Sequence, residues 1–442
     1  MSQTLRSPRL RRILFAYTAN RLGTWFGLVA LTLAVFDHTH SALAVAALLL
    51  AWQALPAFVV PAVIARVEAS RRRSELSALY LFEAVATAAL ALLLLHGFSL
   101  PAVLVLAALD GTAALAANAL LRSELARTAR EHVQEVPAGA TLAGTSTEEE
   151  MHQAERRANA ALNVAFSATF VLGPVLGGVV VAAAGAPAAL FIDVGSFLIC
   201  AALLLDMHPH VEAAGSDSVR ARLRAAWRHI NQASSLRSLL LVDGIALILF
   251  EAAGPIEVTY AKVTLHAGDR GFGLLLTTWG LGAVLGSLVF ARLVRRPLGV
   301  MLSAGALGIG LAYLGFAAAP SLAIACAAAL IGGLGNGVEL PSLFSIVQQL
   351  TPERLHGQMI GAVESLTALC LAIGLPLGGV LVALSSPRAA FVVVGLATVA
   401  TSFALLRLVL AMPGLRAHGN AEASALGYSP EHVDGAEPEG PG

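Results

Sequence analysis

The sequence reads Gly173-Pro174-Val175-Leu176-Gly177-Gly178 and, about 200 residues later, Gly374-Leu375-Pro376-Leu377-Gly378-Gly379. In each segment two glycines stand four positions apart, so they share one face of a helix and let a neighbouring helix approach closely. Each proline removes one helical hydrogen bond and favours a bend. The two segments therefore predict two bent, tightly packed helices, the fifth and eleventh of the spans counted below, that seal a contact between two halves of the chain. Ordinary small-residue packing without a sealing role is the alternative.

The composition indicates a membrane protein. Of the 442 residues, 57% are hydrophobic and 13% are charged, whereas about 25% of a soluble domain is charged. The mean hydropathy is +0.76, and lipid is the solvent that suits so much apolar surface. The 28 basic residues balance the 28 acidic residues, which argues against a nucleic-acid partner. The three cysteines have no metal or disulfide spacing, and we expect no metal and no cofactor.

Twelve apolar stretches are long enough to cross a bilayer as helices, which takes roughly 20 residues each. The predicted spans are 13–36, 43–65, 76–97, 101–121, 161–184, 187–205, 239–259, 273–291, 299–319, 321–347, 357–383 and 389–411. Two connections, 122–160 and 206–238, are long. We expect a solvated loop around Glu148, Glu149 and Glu150 in the first, and an amphipathic helix over 219–230 in the second.

Basic residues predict the orientation of these spans. The N-terminus and the connections on its side of the membrane hold 24 of the 28 basic residues, and the opposite side holds Lys262, Arg270 and Arg388. Positive charge marks the cytoplasmic side. We therefore expect a multi-pass protein of the cell (inner) membrane with both termini in the cytoplasm.

Further matches between the halves predict a repeat of six spans. Ala107-Ala108-Leu109-Asp110-Gly111 in span 4 is similar to Ala328-Ala329-Leu330-Ile331-Gly332 in span 10. Chance similarity between alanine- and glycine-rich segments is the alternative. We predict an N-terminal six-helix bundle over 1–206, a cytoplasmic linker over 207–238, a C-terminal bundle over 239–412 and a disordered tail over 413–442. Transporters are built from such repeats, with the substrate path between them.

Several segments resemble the major facilitator superfamily, and within it the twelve-span macrolide-efflux-like drug:proton antiporters. The segment 173–178 matches a G-P-x-x-G-G motif of span 5, and Arg157-Ala158-Asn159-Ala160 resembles the entry to that span. Phe191-Ile192-Asp193 with Ser196-Phe197 resembles the family's span 6. The resemblance covers about 10–412. It implies an all-helical membrane fold of two pseudo-symmetric six-helix bundles and drug export.

One family motif is degraded in this sequence. The connection between spans 2 and 3 normally carries a glycine, an Asp-Arg pair and further basic residues. Here Pro61 replaces the glycine and Ala65-Arg66 replaces the pair, while Arg71, Arg72 and Arg73 keep the positive cluster. The usual gating role of this connection is therefore in doubt.

Charged residues inside spans are costly and are usually functional. Arg21 is the one base within a span, against seven acids that lie away from the span ends: Glu83, Asp110, Asp193, Asp243, Glu251, Glu339 and Glu364. Most of these acids must be protonated, face water or cap backbone groups. The resemblance places spans 1, 4, 7 and 10 around a central cavity, so Glu251, Asp110 and Glu339 are our candidates for proton coupling, and Arg21 is a candidate partner of Asp110. Glu83 and Asp193 are expected to be structural.

Polar and aromatic residues of the spans suit an amphiphilic organic substrate. The candidates are Asn20, Trp25, Asn118, Trp279 and Asn336. The leading hypothesis is a monomeric, proton-coupled exporter of a hydrophobic or amphiphilic small molecule. A facilitator or importer of a metabolite or lipid, a membrane enzyme, and a non-transporting scaffold or sensor are the alternatives. The histidines are scattered, which disfavours an enzyme, and no Gly-x-x-x-x-Gly-Lys segment indicates ATP binding.

The orientation predicts which positions react with an impermeant thiol reagent added to intact cells. Single cysteines at Gly97, Ala186 and Ser386 should react, because these residues lie in short connections on the outside. A cysteine at Ser216 should react only after the cells are permeabilised. Labelling of position 216 in intact cells would reverse the assigned orientation.

Overall fold

The computed structural model describes residues 7–60, 75–134, 147–205, 227–293, 296–352 and 355–411. Twelve long helices account for most of these residues. Their bounds are α1 Pro8–Thr39, α2 Ala42–Val60, α3 Glu75–His96, α4 Leu100–Gln134, α5 Thr147–Ala184, α6 Ala186–Leu203, α7 Ser234–Thr264, α8 Gly268–Arg292, α9 Leu298–Ala318, α10 Leu322–Gln349, α11 His356–Leu384 and α12 Pro387–Leu410.

The structure confirms the fold predicted from the sequence. Each of the twelve helices is long and apolar enough to cross a membrane, so the protein is a multi-pass membrane protein. In the first six, α1 packs on α5 and α6, and α3 packs on α4 and α6. In the second six, α7 packs on α11 and α12, and α10 packs on α8 and α9. The result is two six-helix bundles with similar internal neighbours.

The connection between spans 4 and 5 differs from the expected solvated loop. Helix α4 continues to Gln134 and α5 already begins at Thr147, so the loop prediction was wrong for most of 122–160. The extensions pack together, because Leu125 and Ala129 of α4 share a buried cluster with Ala154 and Ala158 of α5. Charged residues alternate with this apolar stripe. They lower the mean hydropathy of the segment, so the mean does not reveal the stripe.

Several predicted features lie outside the described residues. They are Arg66, Arg71, Arg72 and Arg73 between α2 and α3, most of the linker helix, and the tail after 411. The described end of the linker, residues 227–232, is helical. There Trp227 is exposed and Ile230 is buried, and the amphipathic helix over 219–230 stays a prediction.

Glycines set the closest helix contacts in the second bundle. Gly282 and Gly286 of α8 face Gly333 and Gly337 of α10, and the backbones touch at each of the four positions. A Cβ on Gly333 would overlap the carbonyl oxygen of Trp279 and lie 2.9 Å from the Cα of Gly282. Only glycine allows this approach, because a larger side chain would separate the two backbones.

Substituting Gly333 should therefore destabilise the protein. Gly333→Ala is expected to cost about 1–3 kcal/mol, since the neighbouring atoms belong to backbone and cannot move aside. Gly195→Ala on α6 is the matched control, because a Cβ there has no neighbour within 4 Å. Thermal unfolding in detergent should show a lower midpoint for Gly333→Ala and no decrease for Gly195→Ala. Equal midpoints for the two variants would contradict the packing argument.

Candidate functional site

The two bundles meet through two pairs of helices, α5 with α8 and α2 with α11. We call the end of the molecule where α1 begins and α12 ends the N side, and the opposite end the far side. A Cβ on Gly178 of α5 would lie 3.1 Å from the Cα of Gly273 of α8, and one on Gly379 of α11 would lie 3.1 Å from the Cα of Leu43 of α2. These close contacts all lie in the far half of the helices.

The two segments with which the sequence analysis began occupy corresponding places. Gly173 and Gly177 pack on α1 within their own bundle, and Gly374 and Gly378 likewise pack on α7. The third glycine of each segment, Gly178 or Gly379, is the one that contacts the other bundle. Helices α5 and α11 therefore both contribute to the contact between the two halves. Each packs on a helix of the other bundle, α5 on α8 and α11 on α2. Pro174 and Pro376 lie inside their helices, and the carbonyl oxygen of Pro174 faces Gly273.

An aromatic group lines the first bundle near this seal. The Trp25 ring meets the Phe170 ring edge-on, with 5.3 Å between centroids, and Phe170 stacks with Phe166 at 5.8 Å. The guanidinium carbon of Arg21 lies 5.1 Å from the centre of the Phe166 ring, which is cation–π geometry. Phe170 also packs on Gly280 of α8. Arg21 is therefore connected through the Phe166 and Phe170 rings to the contact between the bundles at Gly280.

Three residues singled out from the sequence each have a polar atom that is buried without a hydrogen bond in the described part of the chain. The atoms are Arg21 Nε, Trp25 Nε1 and Asn118 Oδ1. A buried polar group without a partner is costly, and a polar ligand would relieve that cost. The sequence candidates Asn20 and Asn336 are partly exposed. Trp279 is a different case, because it is buried between Phe250 and Tyr313 and belongs to the packed core of the second bundle.

The second bundle gathers several acids around Tyr313. This phenol is 1% exposed and lies within electrostatic range of Glu251, Glu257 and Glu339. Glu251 is near the middle of α7, is partly exposed, and has no hydrogen bond or ion pair among the described residues. Its Cβ faces Gly374 of α11.

Two of these residues were not singled out from the sequence. Glu257 lay close to the end of the predicted span 7, but α7 continues to Thr264 and places it further inside. Tyr313 carries no sequence signal, because a single tyrosine in an apolar span is ordinary core. Asp243 is 7% exposed and lies within electrostatic range of Glu339.

Asp110 occupies a different environment from the other two coupling candidates. It is 3% exposed and accepts hydrogen bonds from Trp52 Nε1 and Thr87 Oγ1, both at 3.0 Å. Its neighbours therefore belong to α2 and α3 of its own bundle. The suggested pairing of Asp110 with Arg21 is not formed, since Arg21 faces Tyr17, Arg122 and the Phe166 ring.

The sequence model of the Major Facilitator Superfamily matches residues 239–430. Solved transporters share the fold over almost the whole chain. The nucleoside transporter NupG aligns with a TM-score of 0.66 at 12% identity, over 90% of this chain and 99% of that one. A bacterial homologue of the iron transporter ferroportin, in an inward-facing state, aligns with a TM-score of 0.65 at 17% identity, over 93% and 99%.

The second bundle thus matches the major facilitator superfamily in sequence, and both bundles share its fold. Among the relatives of this chain is the multidrug efflux pump Tap of Mycolicibacterium fortuitum. The two sequences are 27% identical over 410 residues, which cover 90% of this chain and 94% of Tap. The family model matches the second bundle, and the similarity to Tap extends through the first bundle as well.

This transporter also has an ionic contact between its bundles at the far side. Lys262, the one lysine of the sequence, bonds to Asp37 of α1 in the other bundle and to Asp269 of α8 at 2.7 Å. Asp37 and Lys262 each stand two residues before the end of their helix, α1 or α7. Corresponding positions of the two halves thus meet, with opposite charges, and the contact stabilises closure of the far side.

Removing this lysine should open the far side more often. Exposed ion pairs contribute up to about 1 kcal/mol each, so Lys262→Gln should raise the open population several-fold. The reporter is a single cysteine at Ala46, which is 2% exposed beside Gly379, in a background without the native cysteines. Its labelling by an impermeant reagent should accelerate in Lys262→Gln and in Asp37→Asn.

Arg270→Gln is the matched control. Arg270 is exposed on the same side and has no ion pair in the described ranges, so its loss should leave the rate unchanged. If Lys262→Gln labels no faster than Arg270→Gln, the contact does not stabilise the closed far side.

Proposed function

We propose that this protein is a proton-coupled exporter of hydrophobic or amphiphilic small molecules, working by alternating access in the cell membrane. The observation that carries export is the similarity to a multidrug efflux pump over both bundles. The alternating-access part is supported by the contacts between the bundles, whose close glycine and ionic approaches lie in the far half.

The moving bodies in this proposal are the bundles 1–206 and 239–412. In the sequence, 207–238 is the predicted linker between them and 413–442 is the predicted tail. With both termini in the cytoplasm, the N side faces the cytoplasm and the far side faces outward. The structure then corresponds to an inward-facing state, from which a substrate enters the path before the bundles rock about their contact. All substrate contacts can be made within one chain, so a monomer is sufficient.

The substrate site we propose lies between the bundles, on the N side of the seal made by Phe170 and Gly280. Arg21, Trp25 and Asn118 offer unpaired polar atoms there, and Phe166 offers a ring that is 37% exposed. Such a site accepts an apolar or aromatic body with one or two polar groups, and flat ring contacts tolerate varied shapes. This suits a transporter of several unrelated compounds.

Coupling to protons is assigned to Glu251. It is a mid-membrane carboxylate with no basic partner among the described residues, and burial favours the neutral form of such a group. A change from a dry to a wet environment, which alternating access supplies, lets it release the proton. Tyr313 and Glu339 lie close by and are suited to pass the proton on.

The test is transport by purified protein in liposomes with an imposed pH gradient and a lipophilic fluorescent dye. Wild-type protein should move the dye against its gradient. Glu251→Gln should abolish this uphill movement while dye binding survives, because glutamine keeps the size and the polar contacts but cannot titrate. Glu364→Gln, on the exposed surface of α11, should pump at the wild-type rate.

Each outcome separates the alternatives. Uphill transport at wild-type rate by Glu251→Gln would exclude Glu251 as the proton carrier and make Asp110 or Glu339 the next candidate. Wild-type protein that only equilibrates the dye, whatever the pH gradient, would identify a facilitator instead of an exporter.

A further inference from the structure

The first bundle contains three buried acids that lie apart from the path between the bundles. Glu83 on α3 is 0% exposed, Asp110 on α4 is 3% exposed and Asp193 on α6 is 2% exposed. Glu83 lies within electrostatic range of both other acids, and Asp193 within range of Asp110. The sequence analysis treated Glu83 and Asp193 as structural and Asp110 as a cavity residue, but the fold brings them together.

The three carboxyl groups are unequally satisfied. Asp110 accepts two hydrogen bonds, from Trp52 and Thr87, and Asp193 accepts one from Ser196 at 3.1 Å. Both oxygens of Glu83 are buried without a partner among the described residues. Gly23 and Gly27 of α1 make room for the Asp193 carboxylate, which any side chain at those positions would displace.

No basic residue in the described part of the chain neutralises the cluster. The other titratable groups that face it are the Tyr17 phenol on α1, the Tyr80 phenol on α3 and the Cys200 thiol on α6. Both phenol hydroxyls are buried and have no hydrogen-bond partner in the described ranges. Arg21 is turned toward Phe166 and Arg122.

Protons are the ligands that fit this arrangement. Three ionised carboxylates in a dry interior without a cation would each carry a large desolvation cost, and a protonated acid avoids that cost. A metal ion does not fit, because no three acidic, histidine or cysteine side chains of the described residues are close enough to hold one. A protonated Glu83 also gains a donor, which the unpaired phenol oxygens are able to accept.

Comparison of the two halves indicates that the acid at position 110 is not needed for packing. A Cβ on Gly111 of α4 would overlap the carbonyl oxygen of Trp52 of α2, and in the same way a Cβ on Gly333 of α10 would overlap the carbonyl oxygen of Trp279 of α8. The residue before each glycine is Asp110 in the first bundle and Gly332 in the second. The same tryptophan–glycine contact thus forms without an acid beside it, so this packing does not require the carboxyl group.

Asp110 is also the member of the cluster that is linked to movement. Trp52 lies in the π-helical turn Leu50–Ala54 of α2, and such turns are frequent at functional sites. The same helix contacts α11 of the other bundle through Leu43 and Ala46. When the bundles separate at the far side, α2 loses that support, and the indole that bonds to Asp110 is carried with it.

We propose that Glu83, Asp110 and Asp193 form a proton-storing cluster inside the first bundle, in which Asp110 exchanges its proton as α2 moves. The cluster makes the position of α2 depend on pH, separately from Glu251. The inference extends the proposed proton coupling, but it concerns proton binding, which is measurable without transport.

The experiment is infrared difference spectroscopy of the purified full-length protein in lipid nanodiscs, titrated with acid and alkali in D2O, with every variant made in a Glu251→Gln background so that the proposed proton carrier adds no band of its own. Protonated carboxylic acids have a carbonyl band of their own. Glu83→Gln and Asp193→Asn should each remove part of the band seen at neutral pH, and Asp110→Asn should remove its pH-dependent part. Glu364→Gln should leave the buried component unchanged.

A second variant keeps the test decisive if Asp110→Asn does not fold. Trp52→Phe keeps an aromatic side chain but removes the indole N–H that stabilises ionised Asp110. It should move the midpoint of the pH-dependent part upward by about one pH unit. An unchanged midpoint, or a pH-dependent band that persists in Asp110→Asn, overturns the proposal.

Two further results have a defined meaning. A band that changes on replacing choline chloride with sodium chloride at constant pH would indicate a sodium site and overturn the proton assignment. Wild-type protein that pumps dye but lacks the neutral-pH band refutes the cluster and leaves the proposed function intact. Protein that shows the neutral-pH band but does not pump dye supports the cluster and refutes the proposed function.

Discussion

Close approach of helix backbones is the interaction on which the rest of this structure depends. Lipid tails are as apolar as leucine side chains, so burial of apolar surface gives little drive for helices to associate within a bilayer. Packing must supply it, and packing is densest where glycines meet. Gly333 and Gly337 hold α10 against α8. At the contact between the bundles, Gly178 meets Gly273 and Gly379 meets α2 in the same way.

The bilayer interior also lacks water, so charged groups there must be stabilised by other parts of the protein. Arg21 lies against an aromatic ring, and Asp110 accepts two hydrogen bonds. The carboxyl group of Glu83 has no such partner among the described residues, which is why we assign it a proton. Near the far-side surface, water lowers the desolvation cost of an ion pair, and there Lys262 joins the two bundles.

Pseudo-symmetry explains why the two halves share packing but differ in chemistry. The tryptophan–glycine contact occurs in both bundles, at Trp52 and at Trp279. The residues beside these contacts have diverged, with an acid at 110 and glycine at 332. Acids of the second bundle instead gather around Tyr313. A repeated scaffold thus carries one acidic cluster in each half, built from different helices.

The sequence by itself determined the number of spans, the two-fold repeat and the importance of the glycine segments. Each of these follows from local physics: about 20 apolar residues cross a bilayer, and glycine spacing sets a helix face. It failed at the α4–α5 connection, where helical extensions with mixed charge are invisible to average hydropathy.

Only the tertiary structure decided which side chains meet. Sequence position placed Asp110 mid-membrane, but the rotation of α4 turns it toward Trp52 and away from Arg21. Glu83 and Asp193 are 110 residues apart in sequence, and nothing local indicates that they share a site. The helix rotations that unite them come from packing among all six helices of the bundle. No single helix carries that information, because the face it buries depends on its neighbours.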